Sequence, residues 1–221
     1  MRVLERLKPL TLMGLIAMGI VAQTNPLQAQ PTKVLTVAGG CFWCVESDFE
    51  GVPGVIEAVS GYTGGTIENP TYKDVTRGGS GHYEAVQIIF DPAKVSRERL
   101  LEMFFRSVDP TDGGGQFCDR GESYRTAVFV SNKAEEALAS RVKAAAQKVL
   151  RQEIVTPVLP AKTFYEAEDY HQDYYKGESL VFTRFGPKRQ AEAYKRYRQA
   201  CGRDARVAQL WGDAAPFASG H

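Results

Sequence analysis

Four cysteines, at positions 41, 44, 118 and 201, are the residues of this chain best suited to chemistry. The first two stand in Gly39-Gly40-Cys41-Phe42-Trp43-Cys44, where an alternating apolar stretch gives way to a helical pattern. Glycines let the backbone turn sharply and leave room for a substrate to approach. A cysteine in the first turn of a helix faces unpaired N–H groups and the positive end of the dipole, both of which favour thiolate. Cys44 follows Cys41 by one helical turn, so their sulfurs are within reach of each other. By itself a Cys-x-x-Cys pair admits three readings: a redox couple, half of a zinc site, or a structural disulfide. A structural zinc site wants four ligands, usually from two paired motifs. Cys118 and Cys201 instead stand singly, with no histidine at ligand spacing. That argues against a metal and for a redox pair.

The elements that must position this pair can be read from periodicity. Lys33 to Ala38 alternates and reads as a short buried strand, followed by a helix over Cys41 to Phe49. Val55 to Tyr62 and His82 to Phe90 are expected strands, with a Gly-, Asn- and Pro-rich loop between them over Thr66 to Gly81. After Ser96, Leu100, Leu101, Phe104, Phe105 and Val108 recur at helical spacing. Asp109 to Gly121 reads as a second glycine-rich loop, in which Gly113-Gly114-Gly115 is a turn with no phosphate-binding context. Tyr124 to Val130 reads as a strand, Asn132 to Leu150 as a long helix, and Ile154 to Val158 as the last strand. Alternating strands and helices point to a two-layer α/β domain. The basic stretch from Arg184 to Arg206 reads as a solvated terminal helix with Tyr194 and Tyr197 turned inward.

Composition is that of an ordinary globular chain, and a formal charge of +1 gives no field for nucleic acid or acidic lipid. The first thirty residues differ. Arg2, Arg6 and Lys8 precede an apolar run from Leu10 to Ala22, then a polar stretch and Ala29. This is the plan of a secretory signal peptide, and the run is shorter than the ~20 residues a membrane span needs. The expected organisation is a signal peptide over 1–29, a catalytic domain over 30–200 and a tail over 201–221. A retained N-terminal anchor is the alternative. Either way the folded part is expected outside the cytoplasm, periplasmic or secreted, where cysteines can persist as disulfides.

The segment around Cys41 resembles the active-site motif of peptide methionine sulfoxide reductases of the A class. The likeness continues in order through Gly61-Tyr62-Thr63-Gly64-Gly65, Asn69-Pro70-Thr71-Tyr72 and Gly81-His82-Tyr83-Glu84. Asp119-Arg120-Gly121 with Tyr124-Arg125, and Ala167-Glu168-Asp169-Tyr170-His171-Gln172, complete it. The resemblance implies a two-layer, ferredoxin-like α/β sandwich around a mixed sheet, and reduction of the S-epimer of methionine sulfoxide, peptide-bound or free. It carries Cys41 over as nucleophile and Phe42 and Trp43 as an apolar wall for the substrate methyl group. Glu84 becomes the acid that protonates the sulfoxide oxygen, with Tyr72 and Tyr124 donating hydrogen bonds to that oxygen. Asp119 would position a water or the Cys41 environment, and His82 would brace the Glu84 segment.

Cys41 would then pass through a sulfenic acid, which a resolving thiol converts to a disulfide. An external thioredoxin-type dithiol recycles that disulfide, with no other cofactor. The commoner motif has glycine where this chain has Cys44. Cys44 is therefore the expected resolver, with Cys201 the alternative, and Cys118 with Cys201 a candidate structural disulfide. A monomer suffices for this chemistry. The rivals are an exported thiol–disulfide oxidoreductase using Cys41 and Cys44, which would need a proline-bearing loop against the motif, and a non-enzymatic module stapled by disulfides.

Overall fold

The computed structural model describes residues 31–218. The leader expected over 1–29 lies outside them. Among the described residues no helix is long and apolar enough to cross a membrane.

The chain forms β1 (Lys33–Gly39), α1 (Phe42–Glu50), β2 (Val55–Thr63), α2 (Tyr72–Thr76), β3 (Tyr83–Phe90) and α3 (Arg97–Phe105). A small hairpin follows, β4 (Gly115–Gln116) and β5 (Asp119–Arg120), then β6 (Thr126–Val130), α4 (Lys133–Leu150), β7 (Val158–Pro160) and β8 (Tyr165–Glu166). A second hairpin, β9 (Leu180–Thr183) and β10 (Gly186–Arg189), leads into α5 (Gln190–Cys201) and α6 (Arg203–Trp211). Six strands make one mixed sheet in the order β7-β6-β1-β3-β2-β8. Only β6 and β7 run parallel; the other pairings are antiparallel.

Period-two alternation decides what each sheet face holds. Leu35 and Val37 of β1, Val86, Ile88 and Phe90 of β3 and Val128 of β6 point to the side where the helices lie. Phe42, Val45 and Phe49 of α1, Phe104 and Phe105 of α3, and Ala139 and Val142 of α4 pack against them. Each of these buried Val, Leu, Ile and Phe side chains contributes ~1.5–3 kcal/mol. The opposite face carries the small Ala38, Ala85 and Ala127, covered by Tyr83, Phe129, Leu159 and Phe164. The two-layer mixed α/β sandwich expected from the sequence is what forms.

Several details differ from the sequence reading. The loop expected over 66–81 contains α2, started by a capping box in which Thr71 and Asp74 satisfy each other's backbone N–H groups. The loop expected over 109–121 contains the β4–β5 hairpin, whose two-residue strands are too short to show alternation. The strand expected over 154–158 forms instead at 158–160, where its residues pair with Val128, Phe129 and Val130, and it is not the last, since β8 follows it in the same sheet. Ile154 is buried in the core instead. The expected terminal helix begins as the β9–β10 hairpin, and its helical part breaks at Gly202 (φ 69°) into α5 and α6. Residues beyond 200 do not stand apart as a tail: Val207 and Trp211 join the main core and Phe217 packs against it.

Candidate active site

Gly40 sits between β1 and α1 at φ 82°, and a Cβ there would lie 2.5 Å from Cβ of Gln116. Only glycine suits both conditions. Cys41 is the N-cap of α1, and its carbonyl accepts the amide of Cys44 at 3.1 Å. Cys41 is half-buried and Cys44 buried, both as free thiols. They border one cavity of about 470 Å³ together with Phe42, Trp43, Tyr72, Glu84, Asp119 and Tyr124. Every residue to which the resemblance gave a part in catalysis is thus on one cavity wall.

Glu84 reaches this wall because β3 alternates. Its side chain lies on the helix-facing side with Val86 and Ile88, only 1% exposed. One carboxylate oxygen accepts the amide of Phe42 at 3.0 Å, fixing the acid beside the nucleophile's own peptide unit. Burial pushes the Glu84 carboxyl up to about 8; the Phe42 amide opposes this, and the charges of Asp119 and Cys44 add to it. At neutral pH it is therefore a carboxylic acid. Tyr124 hydrogen-bonds both Glu84 and Tyr72. Burial raises both phenols above their ordinary range, so they stay neutral donors. Asp119 is half-buried, raised by burial and drawn back by Arg203 and Arg184. His82 lies behind the site rather than in it: its Nδ1 accepts the Gly65 amide at 3.3 Å, and its Nε2 lies 2.8 Å from the Ile67 carbonyl oxygen. It holds the loop ahead of β3.

The aromatic wall is itself held from behind. Trp43 stacks on Tyr174, with centroids 3.7 Å apart and planes 6° from parallel, and donates its Nε1–H to Nδ1 of His171 at 3.2 Å. Burial pushes His171 down to about 4, so it is a neutral acceptor. Its ring also lies 5.0 Å from Phe42 and 4.5 Å from Tyr72. Glu168 pins α2 by accepting the Tyr72 amide at 2.9 Å and the Tyr62 hydroxyl at 2.8 Å. The sequence reading gave these residues no role, although His171 and Tyr174 share an aromatic-rich segment at a spacing of three.

The largest departure concerns charge. Two of the basic residues near the C-terminus are not solvated: Arg198 and Arg203 are 4% and 2% exposed, while Arg184, Arg189, Lys195 and Arg196 are exposed as expected. Arg198 pairs with Asp48 at 2.8 Å and Asp204 at 2.7 Å. Arg203 meets Asp48 at 3.4 Å and donates to the Gly39 carbonyl at 3.1 Å. Asp48 lies one turn beyond Cys44 on α1, so both guanidiniums border the cavity beside that thiol. Cys44 is drawn down to about 7, most by the hydrogen bond from Cys41, against burial, and further by Arg203 and Arg198. Cys41 is held well above its ordinary value by that same hydrogen bond, by burial and by the charges of Cys44, Glu84 and Asp119. The helix start alone was expected to favour thiolate at Cys41; the guanidiniums of Arg203 and Arg198 add a pull on the neighbouring Cys44 that the sequence did not show. Cys118 in the β4–β5 turn and Cys201 at the end of α5 are joined in a disulfide across 83 residues, with Cα atoms 4.9 Å apart. This bridge borders the same cavity.

Comparison with known proteins places this geometry. The family profile for peptide methionine sulfoxide reductase matches residues 33–212. A Caulobacter vibrioides protein named peptide methionine sulfoxide reductase MsrA 2 is 50% identical over 198 residues, covering 89% of this chain and 94% of its own. A Bacillus subtilis peptide methionine sulfoxide reductase MsrA is 44% identical over 186 residues, covering 83% and 98%. Among solved structures, reduced Mxr1 from Saccharomyces cerevisiae superposes with a TM-score of 0.63 at 30% identity, covering 66% of this chain and 84% of that one. Methionine sulfoxide reductase A of Corynebacterium diphtheriae gives 0.59, also at 30% identity, covering 70% and 79%. The chain belongs to the peptide methionine sulfoxide reductase family.

Proposed function

We propose that this protein reduces the S-epimer of methionine sulfoxide, in peptides and as the free amino acid, using Cys41 as nucleophile. The observation that carries the reading is Glu84: a buried carboxyl bonded to the residue beside Cys41, on the wall shared with both thiols and the aromatic rings, where burial favours its protonated form. A sulfoxide offers a methyl group to Phe42 and Trp43 and an oxygen to Glu84, Tyr72 and Tyr124. Asp119 completes the polar side.

The Cys41 sulfur attacks the sulfoxide sulfur as Glu84 protonates the oxygen, and the proton that Cys41 gives up returns to the Glu84 carboxylate, which can then protonate the oxygen that leaves as water. The oxygen is transferred to Cys41, methionine leaves, and Cys41 becomes a sulfenic acid. Cys44, held toward its thiolate by Arg203 and Arg198, then attacks the Cys41 sulfur. A Cys41–Cys44 disulfide forms and the oxygen leaves as water. An external dithiol of thioredoxin type reduces that disulfide by exchange and is itself oxidised, so no other cofactor enters. Cys201 is less suited to resolve, because its sulfur is engaged with Cys118. Non-reducing peptide mapping after one turnover should find Cys41 linked to Cys44; a Cys41–Cys201 bridge as main product overturns that assignment.

The signal-like first 29 residues and the Cys118–Cys201 disulfide together support an exported, periplasmic or secreted enzyme, and a monomer suffices for its chemistry. The thiol–disulfide oxidoreductase reading finds no support, since the family match spans almost all of the described chain. Reduction of each sulfoxide epimer with dithiothreitol, by wild type and Cys41→Ser, tests the proposal. The wild type should consume only the S-epimer and the variant neither. An inert wild type, or an active variant, refutes it.

A further inference from the structure

The β9–β10 hairpin stands at the mouth of the catalytic cavity, which Phe182, Thr183 and Arg184 help to line. Its inner face is packed: Val181 contacts the cluster of Cys44, Tyr174 and Tyr194. Its ends are tied down as well. Gln190 donates its backbone amide to the Ser179 carbonyl at 3.0 Å, and Arg189 pairs with Glu178. The Arg184 guanidinium lies over the rings of Phe185 at 4.9 Å and Tyr197 at 5.2 Å.

The outer face is the reverse of what alternation normally gives. Leu180 and Phe182 point outward, 66% and 86% exposed, the two most exposed large apolar side chains among the described residues. Across the ladder Phe182 faces Pro187, which is also exposed. Solvent-facing strand positions are ordinarily polar, and an exposed apolar patch beside a cavity marks a place where something binds.

We infer that Leu180, Phe182 and Pro187 form a docking face for the polypeptide on either side of the oxidised methionine, favouring substrates with apolar neighbours at those positions. This rests on the sulfoxide reductase reading above. The choice of occupant follows from continuity: Phe182 belongs both to the cavity lining and to the outer face. A chain whose sulfoxide side chain enters the cavity past Phe182 therefore lies over the hairpin. The chemistry of the lesion agrees. Methionine is a core-forming residue, so its neighbours in sequence are commonly apolar, and oxidation to a polar sulfoxide disrupts the packing that hid them. The face discriminates a damaged, partly opened protein from the free amino acid, which carries no flanking side chains.

The test uses the full enzyme with dithiothreitol as reductant and three S-sulfoxide substrates: a leucine-flanked tripeptide, a glycine-flanked tripeptide and free methionine sulfoxide. For wild type, kcat/KM on the leucine-flanked peptide should exceed that on the glycine-flanked one on the order of tenfold, carried by KM, as partial burial of one or two apolar side chains implies. Leu180→Ser/Pro187→Ser should reduce that preference to less than about twofold while leaving turnover of free methionine sulfoxide unchanged. Phe182→Ser should also lose the preference. Equal rates of wild type on both peptides, or an equal fall on all three substrates, overturns the proposal. So does a double variant with intact peptide preference but weakened use of a protein dithiol or lost self-association, which assigns the face to a reductant or to a second copy. Direct binding to Cys41→Ser separates this claim from the catalytic one. That variant should hold the leucine-flanked peptide about tenfold tighter than the glycine-flanked one whether or not the wild type turns over.

Discussion

Replacing Glu84 by glutamine isolates the acid from its scaffold. The oxygen of the new side-chain amide can still accept the Phe42 N–H now held at 3.0 Å, and glutamine fills the same volume, so α1 and the cavity should stay in place. What disappears is the proton. With its carboxyl at about 8 rather than the ordinary 4.5, Glu84 is about 90% protonated at pH 7, against about 0.3% for an unperturbed glutamate. Burial therefore raises the population of the acid form about 300-fold. A positioned general acid contributes ~10²–10⁴ in rate, so Glu84→Gln should slow methionine formation by that range. The assay is a single turnover without reductant: enzyme in excess over S-sulfoxide peptide, quenched in time, with methionine quantified. In wild type the rate should fall as pH rises through about 8, where Glu84 loses its proton. In Glu84→Gln that alkaline fall should vanish along with most of the rate. A variant within about threefold of wild type, or one that keeps the alkaline limb, refutes the assignment of the acid.

Three further outcomes follow from the surrounding residues. Arg203→Gln removes one of the two cations beside Cys44, so the thiol should move from about 7 toward its ordinary range. The Cys44 thiolate fraction at pH 7 then drops, slowing Cys41–Cys44 disulfide formation about twofold to fivefold without changing the first methionine released; unchanged disulfide formation tells against a role for Arg203. Cys118→Ser opens a loop spanning 83 residues and should cost up to ~4–5 kcal/mol in the chain-entropy account, read as a lower urea midpoint; an unshifted midpoint would remove the structural role. Glu46 is buried, hydrogen-bonded by Ser60 and by the Asp173 amide, and raised by burial from 4.5 to about 7. Because the folded state holds its proton more tightly than the unfolded chain, stability should decline between about pH 4.5 and 7, by up to ~3 kcal/mol from this group. Glu46→Gln should flatten that part of the pH–stability curve in melts at pH 5 and pH 8, and equal slopes in both proteins would refute it.

The catalytic wall was legible chiefly through the family resemblance, which carried over Glu84, Tyr72, Tyr124 and Asp119; local determinants account for its placement. Two glycines before Cys41 forecast the turn into α1, and alternation along β3 is enough to put Glu84 on the face of Val86 and Ile88. The α2 start was also written locally, in Thr71 and Asp74, although the loop-like composition around it hid the signal. The β4–β5 hairpin was not legible, since two-residue strands carry no period to read.

The sequence by itself determined that a nucleophilic cysteine would sit at a strand-to-helix junction among aromatic rings, in a two-layer α/β domain. Short-range steric and dipolar effects suffice for that, and they act over a few residues. The tertiary structure alone decided which charges surround the thiol pair. Arg198 and Arg203 lie more than a hundred residues from Cys44, in a stretch whose composition reads as solvated. Only folding brings their guanidiniums into a buried network with Asp48, where low dielectric strengthens their pull on the Cys44 thiol beside the larger effect of its hydrogen bond with Cys41. The same folding leaves Leu180 and Phe182 uncovered beside the cavity, because burial is a property of what surrounds a side chain and not of the side chain itself.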